Sequence, residues 1–207
     1  AVRKKNADNG CVDSICSPLK PYGLRGEVFG HEDKYHLPKI SDNIVDLDNG
    51  YSILGLDPVS KKRTIKYVGR NYPFPKIGNI DKYKIFVPRN YGCGDFGEMP
   101  ATPVLAAPNM ACTETFVELG AFDTETELNN LYTYFKTKFF RALVGIKKQD
   151  QSASRSIYSF VPLQDFTAAS DINWAQSVIN IDKQLYAKYG LTDDEIDFIE
   201  THVKTVN

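Results

Sequence analysis

No stretch of this sequence approaches the roughly 20 consecutive apolar residues that cross a bilayer, and no charged, apolar and small-residue succession resembles a signal peptide. A cytoplasmic setting with no membrane partner is expected. Cysteine is sparse: Cys11, Cys16, Cys93 and Cys112 make no Cys-x-x-Cys pair and no dense disulfide framework, so reduced thiols are expected. A zinc site drawing on Cys11 and Cys16 with His31 or His36 is disfavoured by the four-residue gap between the cysteines. An excess of one charge is missing too. With 25 basic and 26 acidic residues the net charge is -1, which argues against a freestanding nonspecific DNA binder. Repeats and low-complexity segments are absent.

What is present is enough for one folded unit: 207 residues, 42% of them hydrophobic. Residues 1–10 are polar and aperiodic and read as a flexible tail or linker remnant, with a single domain over 11–207. The charged start, Arg3-Lys4-Lys5 with no initiator Met, is expected of a piece excised from a longer enzyme. Strand-forming runs at 51–56, 64–68, 82–87 and 113–119 are rich in Ile, Val, Tyr, Phe and Thr and are bounded by Gly, Pro or Asp. A further strand is expected at 157–161. Asp57-Pro58-Val59-Ser60 reads as a turn, because proline fixes its own φ and aspartate can accept from the backbone beyond it. Long loops are expected over 90–108.

The period then changes. Leu128, Leu131, Phe135, Phe139, Ala142, Leu143 and Ile146 recur every three or four residues, which predicts one long amphipathic helix over 124–148. Thr124 and Glu127 form a capping-box pattern at its start, and Lys147 and Lys148 suit the negative end of its dipole. At about 100° per residue, Thr137, Arg141 and Lys148 fall opposite the stripe, facing solvent or phosphate. Two short helices close the chain. Asp182 is the expected cap of the first and Gly190 its left-handed end, while Thr192 with Glu195 caps the second and Leu191 staples onto Ile196. The expected class is α+β: a mixed, largely antiparallel sheet packed against one long amphipathic helix, with two short C-terminal helices.

Several blocks carry a family likeness: Lys136-Thr137-Lys138-Phe139-Phe140-Arg141-Ala142-Leu143-Val144, then 158–166 (YSFVPLQDF) and 185–192 (LYAKYGLT). Upstream, Pro21-Tyr22-Gly23-Leu24-Arg25, 81–89 (DKYKIFVPR) and Cys112-Thr113-Glu114-Thr115 extend it. From about residue 17 onward the chain resembles the C-terminal part of adenine-specific (N6) DNA methyltransferases of type II restriction-modification systems, including fused restriction-methylases. In those enzymes a target-recognition domain follows the methyltransferase core. The resemblance implies a domain that binds double-stranded DNA, reads base edges and positions the adenine that flips into an N-terminal methyltransferase domain of the same polypeptide. S-adenosylmethionine would belong to that other domain. No cofactor is expected here, because the chain has neither a glycine-rich turn between strand and helix nor an Asn/Asp-Pro-Pro-aromatic motif to hold a flipped adenine. The nearest strings, 71–75 (NYPFP) and 92–97 (GCGDFG), fit neither.

The candidate DNA-contacting residues are Lys61, Lys62, Arg63, Lys66 and Arg70 around the second strand, with Lys136, Arg141, Lys148 and Arg155 from the helix and the segment after it. Lys138 and Lys147 belong to the same basic stretch. Lysine and arginine supply charge to phosphate and arginine binds it bidentately; the alternative for all of them is a solvated face. Asn90, Tyr91, Asn109 and Gln164 are the amide and phenol candidates for base edges, without a choice among them. Trp174 is expected to pin its loop by packing, and Phe139 and Leu143 are expected in the core. No catalytic residue is expected. His31 and His36 are five apart, about 140° around a helix, which is wrong for joint zinc ligation. Glu32-x-Lys34 matches the end of a magnesium-nuclease pattern but has no clear strand or upstream acid, so an endonuclease is the weaker alternative. The stronger one is a protein-interaction module that docks a partner through the acidic terminal helices, where Asp193, Asp194, Glu195, Asp197 and Glu200 cluster.

Overall fold

The computed structural model describes residues 10–43, 50–92, 94–99 and 103–206. Residues 1–9 of the expected tail, Cys93, and residues 100–102 of the expected loops lie outside the described residues. Strands β1 (Gly50–Leu56) and β2 (Arg63–Gly69) form an antiparallel hairpin, with Leu56 opposite Arg63 and Gly50 opposite Gly69. β3 (Tyr83–Pro88) is the centre of an antiparallel sheet between β4 (Val104–Ala106) and β6 (Phe116–Phe122). β5 (Met110–Cys112) returns to the first sheet and runs parallel to β1. The α+β class therefore holds, with its strands divided between a mixed and an antiparallel three-stranded sheet.

The division follows from a short excursion of the chain. β4 pairs with β3, β5 with β1, and β6 with β3 again, so 113–115 is a turn rather than the start of a strand. Phe116 N–H donates to Thr113 O at 3.2 Å, and the Thr113 and Thr115 hydroxyls bond each other at 2.7 Å. Threonine oxygens that satisfy a turn locally compete with ladder pairing.

β3 is buried along both faces, which is why its apolar run does not alternate with polar residues. Successive side chains of a strand point to opposite faces. Ile85 and Val87 accordingly enter a core shared with the helices. Phe86 enters a second core with Ile53, Leu54, Val68, Leu24 and Phe29. The layers run from the β2-β1-β5 sheet, through the β4-β3-β6 sheet, to the helices. Lys84, two residues before Phe86, is fully buried and donates to Lys82 O at 2.9 Å; burial pulls its ammonium down to about 8.

The expected long helix is two: α1 (Glu125–Lys136) and α2 (Lys138–Lys147), separated by Thr137 in an extended conformation, ψ 147°. Each part of the break is satisfied. Thr137 N–H returns to Tyr134 O at 3.0 Å, and Thr137 Oγ1 accepts from Phe140 N–H at 3.1 Å. The other two open N–H groups, of Lys138 and Phe139, are taken by the buried Asp182 carboxylate at 3.1 and 2.9 Å. Asp182 was expected as the cap of its own helix. Instead it caps α2 across the core, and α3 (Val178–Tyr189) is capped by Ser177. A helix start can be closed from a distant segment, and that is invisible to a local pattern. Thr137, expected on a solvent face, is fully buried.

α4 (Asp193–His202) begins with the expected Thr192–Glu195 capping box, and Gly190 ends α3 at φ 60°. The segment expected as a strand at 157–161 is a 3-10 helix, Arg155–Phe160, because serine oxygens bond locally: Ser159 Oγ donates to Ser156 O at 2.8 Å. Leu131, Phe135 and Phe139 are buried as expected, and Phe139 stacks on Tyr189 with centroids 5.1 Å apart. Burial of such a ring contributes about 3 kcal/mol. Ile146, the last of the stripe, is 56% exposed. Trp174 packs among Tyr134 and Phe166 and donates from Nε1 to Asp165 O at 3.0 Å. No helix among the described residues is long and apolar enough to cross a membrane.

Candidate nucleic-acid interface

A polar cleft of about 700 Å3 opens where the β1–β2 loop faces the ends of β3 and the 113–115 turn. Lys61, Arg63, Arg89, His31 and Asn90 line it, together with Glu27, Asp57 and Glu114. The loop is built by its aspartate. Asp57 Oδ1 accepts Ser60 N–H at 2.7 Å, Val59 N–H at 3.1 Å and Ser60 Oγ–H at 2.9 Å, and these bonds hold its carboxyl below the usual range. Main-chain bonds from Lys61 N–H to Asp57 O (3.0 Å) and Asp57 N–H to Lys62 O (2.8 Å) close the loop. The expected turn at 57–60 therefore forms. Lys61 follows it at φ 56°, a left-handed conformation that suits glycine and strains a residue with a Cβ.

The opposite wall is equally fixed. Arg89 N–H donates to Thr115 O at 2.9 Å, Arg89 O accepts from Ala153 N–H at 2.6 Å, and Asn90 forms an antiparallel bridge with Ser152. Neither side chain of this pair makes a hydrogen bond or ion pair among the described residues. Arg63 lies over the Phe116 ring, 6.0 Å from its centroid.

The three carboxylates of the cleft are already engaged. Asp57 serves the turn. Glu27 accepts from Tyr35 Oη–H and pairs with Lys34 at 3.5 Å; the Tyr35 bond, then the Lys34 charge, hold it below the usual carboxylate range. Partial burial pushes Glu114 up, but Lys20 at 2.7 Å, the Gly26 N–H at 3.1 Å and the Arg25 charge outweigh it and leave the carboxyl low. Lys34 and Lys20 offset Glu27 and Glu114, Asp57 keeps its charge, and Lys61, Arg63 and Arg89 outnumber it around the opening.

The other basic candidates separate into distinct groups. Lys62 is exposed on the same loop. Lys66 is held by Asp42 at 2.9 Å, its side chain 12% exposed, and lies over Phe29. Arg70 is exposed, donates to Asn109 Oδ1 at 2.8 Å and lies over Tyr51, 4.7 Å from the centroid. Lys136 is half-buried over Tyr132, and Arg155 is exposed at the start of its 3-10 helix.

Two candidates do not face outward. Arg141 is 3% exposed and donates to Gly97 O at 2.9 Å, Lys204 O at 2.7 Å and Lys136 O at 3.2 Å. Its role is to tie the C-terminal segment and the 97 loop to the helix break. Lys148 pairs with Glu98 at 2.6 Å, with 5% of its side chain exposed, over the Tyr91 ring. The expectation that Arg141 and Lys148 form a phosphate-facing side is corrected: that side of α2 is covered by the 94–99 loop and the C-terminal segment, whose carbonyls and Glu98 take both charges.

Of the amide and phenol candidates, Gln164 is buried and bonded to Tyr189 Oη (2.8 Å) and Lys188 Nζ (2.8 Å), and Tyr91 is buried. Asn90 is the one that lines the cleft. Glu32 and Lys34 lie on the 3-10 helix Glu32–Tyr35, with Glu32 buried, so the strand that a magnesium-nuclease arrangement needs is not there. Among the described residues no group of three or more His, Cys, Asp or Glu could hold a metal ion. Cys16 and Cys112 are free thiols, and burial pushes Cys16 up to about 12.

Arg89 is the residue that sequence reasoning passed over. It stood inside a quoted block, and its signal was position: a charged residue directly after the strand-ending Pro88. No protein-family model, no curated protein and no solved structure matches this chain.

Proposed function

We propose that this chain is a duplex-DNA recognition module of an adenine-N6 methyltransferase of the restriction-modification type. The observation that carries the reading is one cleft lined by Lys61, Arg63 and Arg89, in which Glu27, Asp57 and Glu114 are each engaged by their own neighbours. Phosphate contacts position a protein on DNA, and base edges are read by amides and guanidinium groups. In this reading Lys61, Arg63 and Arg89 grip a backbone, and Asn90, held rigidly by its bridge to Ser152, meets a base edge. The blocks that carry the family likeness upstream border the same place: Arg89 and Glu114 line the cleft, and Glu114 N–H bonds Leu24 O at 3.0 Å. Methyl transfer with S-adenosylmethionine is assigned to a separate catalytic domain.

The test is fluorescence anisotropy with a labelled duplex across a salt series. Three phosphate contacts predict a slope of log affinity against log salt of about -2.7, and Arg63→Ala or Arg89→Ala should each flatten it by about one unit. Lys136→Ala and Arg155→Ala, outside the cleft, should leave it unchanged. A wild-type slope near zero, or equal loss from all four substitutions, defeats the assignment of DNA to this cleft.

A further inference from the structure

A second concavity lies apart from the polar cleft. It is an apolar groove of about 850 Å3, walled by α2 on one side and α4 on the other, and no residue lines both. Leu143 and Ile146 come from α2, Phe198 and Ile199 from α4, with Phe96 and Leu191 between them. Ile146 is 56% and Phe198 49% exposed, although each stands beside a buried apolar residue of its own helix, Ala142 and Ile199. An apolar trough between two helices has the form that recognises the apolar face of a third.

Charge narrows the occupant. Asp194 lines the groove, and Asp193 and Asp197 flank it on α4; all three are exposed, with no hydrogen bond or ion pair among the described residues. Glu195, beside them, is taken up by the Thr192 capping box. The helix dipole accounts for Asp193 and Asp194 in the first turn and not for Asp197 beyond it. Of the nearby cations Lys138 is paired with Glu200 at 2.7 Å and Lys204 with Asp95 at 2.8 Å, while Lys147 lies over the Phe160 ring of the groove wall, one positive charge against the three aspartates. With Lys147 counted against Asp193, Asp194 and Asp197, the net charge along the groove is negative.

We propose that this groove docks a helix of a partner protein whose leucine-class face is flanked by lysine or arginine. Such a helix covers Ile146 and Phe198 and pairs its basic flank with Asp194 and Asp197. The surface is independent of DNA binding and stands whether or not the polar cleft takes DNA.

The test uses fluorescein-labelled amphipathic peptides of about 18 residues, long enough to form helix, with leucine at i, i+3, i+4 and i+7. One carries lysine on both flanks and one carries glutamate. The full chain should bind the lysine peptide at least about tenfold more tightly than the glutamate peptide. Ile146→Asp and Phe198→Ser, both at exposed positions, should weaken it by about fivefold or more, and Asp194→Lys with Asp197→Lys should reverse the preference. Equal binding of both peptides, binding of neither, or unchanged binding by the groove variants overturns the proposal. So does a wild-type dimer that these variants convert to monomer, since the groove is then covered by a second copy.

Discussion

Replacing Lys61 separates the charge of the polar cleft from the conformation of its loop. Lys61 sits at φ 56°, where a residue with a Cβ carries about 1 to 2 kcal/mol of strain that glycine does not. Lys61→Gly relieves that strain and loses about 0.4 to 1 kcal/mol of the gain to the greater freedom of glycine in the unfolded chain. The net is a stabilisation of about 0.5 to 1 kcal/mol, which in a domain of this size raises Tm by about 1 to 4 °C. Lys61→Ala keeps the strain and removes the same charge, so its Tm should stay close to that of the wild type. An exposed ion pair with phosphate contributes about 0.2 to 1 kcal/mol. Both variants should therefore bind duplex DNA about 1.4- to 5-fold more weakly, and each should flatten the salt slope by about one unit.

Thermal melts and anisotropy titrations on the three proteins give the outcome. Stability and binding moving in opposite directions in Lys61→Gly means that a lysine is kept at a glycine position for its charge. If Lys61→Gly melts below the wild type, the lysine side chain supports the loop and the strain argument fails. If both variants bind DNA as the wild type does, Lys61 makes no contact with it. Strain is retained where surrounding structure over-determines it, and here the Asp57 bonds do so.

The buried Asp182 carboxyl is raised to about 6 by burial, only partly opposed by the Phe139 and Lys138 N–H groups and the Arg141 charge, while the model-peptide value is 3.8. A raised carboxyl pKa means that the folded state favours the protonated form, so this stability is fully present below about pH 4 and is lost as pH rises through about 6. The loss is about 3 kcal/mol. Urea unfolding at pH 4 and pH 7.5 should show Asp182→Asn gaining about 2 to 3 kcal/mol relative to wild type as pH rises, and a constant difference would refute it. Arg141→Met should cost about 2 to 4 kcal/mol in denaturant melts, because it strands the Gly97 and Lys204 carbonyls, and should leave the DNA salt slope unchanged. A flattened slope in a folded Arg141→Met protein would return that residue to the DNA surface.

The parts of the fold legible in the sequence are those decided by neighbours in the chain. The β1–β2 hairpin with its aspartate turn and the Thr192–Glu195 box each close their own hydrogen bonds within a few residues. What was missed depends on distant partners. Asp182 caps the start of a helix 44 residues away along the chain, and the side of α2 that carries Arg141 turns inward because Gly97 and Lys204 offer carbonyls there. β4 and β5 are three residues each and take their identity from the strands they join. The basic candidates divide in the same way. Lys61 and Arg63 flank a hairpin turn and reach the cleft, whereas Lys66, Arg141 and Lys148 meet an acid or a carbonyl that spacing along the chain does not reveal.

Net charge was the strongest sequence argument against DNA binding, and the structure changes its weight. Electrostatic binding follows the charge that faces the polymer, not the sum over the chain. Arg141, Lys148, Lys138 and Lys84 count toward the 25 basic residues but are bonded to carbonyls or carboxylates inside the fold. Likewise Asp57, Glu27 and Glu114 count as acids but are engaged in turn bonds or ion pairs at the cleft. Three cations, Lys61, Arg63 and Arg89, line the cleft, and three contacts are few. With a slope of about -2.7, a fourfold rise in salt from about 50 to 200 mM lowers affinity about 40-fold. On the proposed reading, a surface of this kind would grip DNA weakly by itself. It suits a module whose partner domain supplies the remaining contacts, which is the arrangement that the family likeness implies.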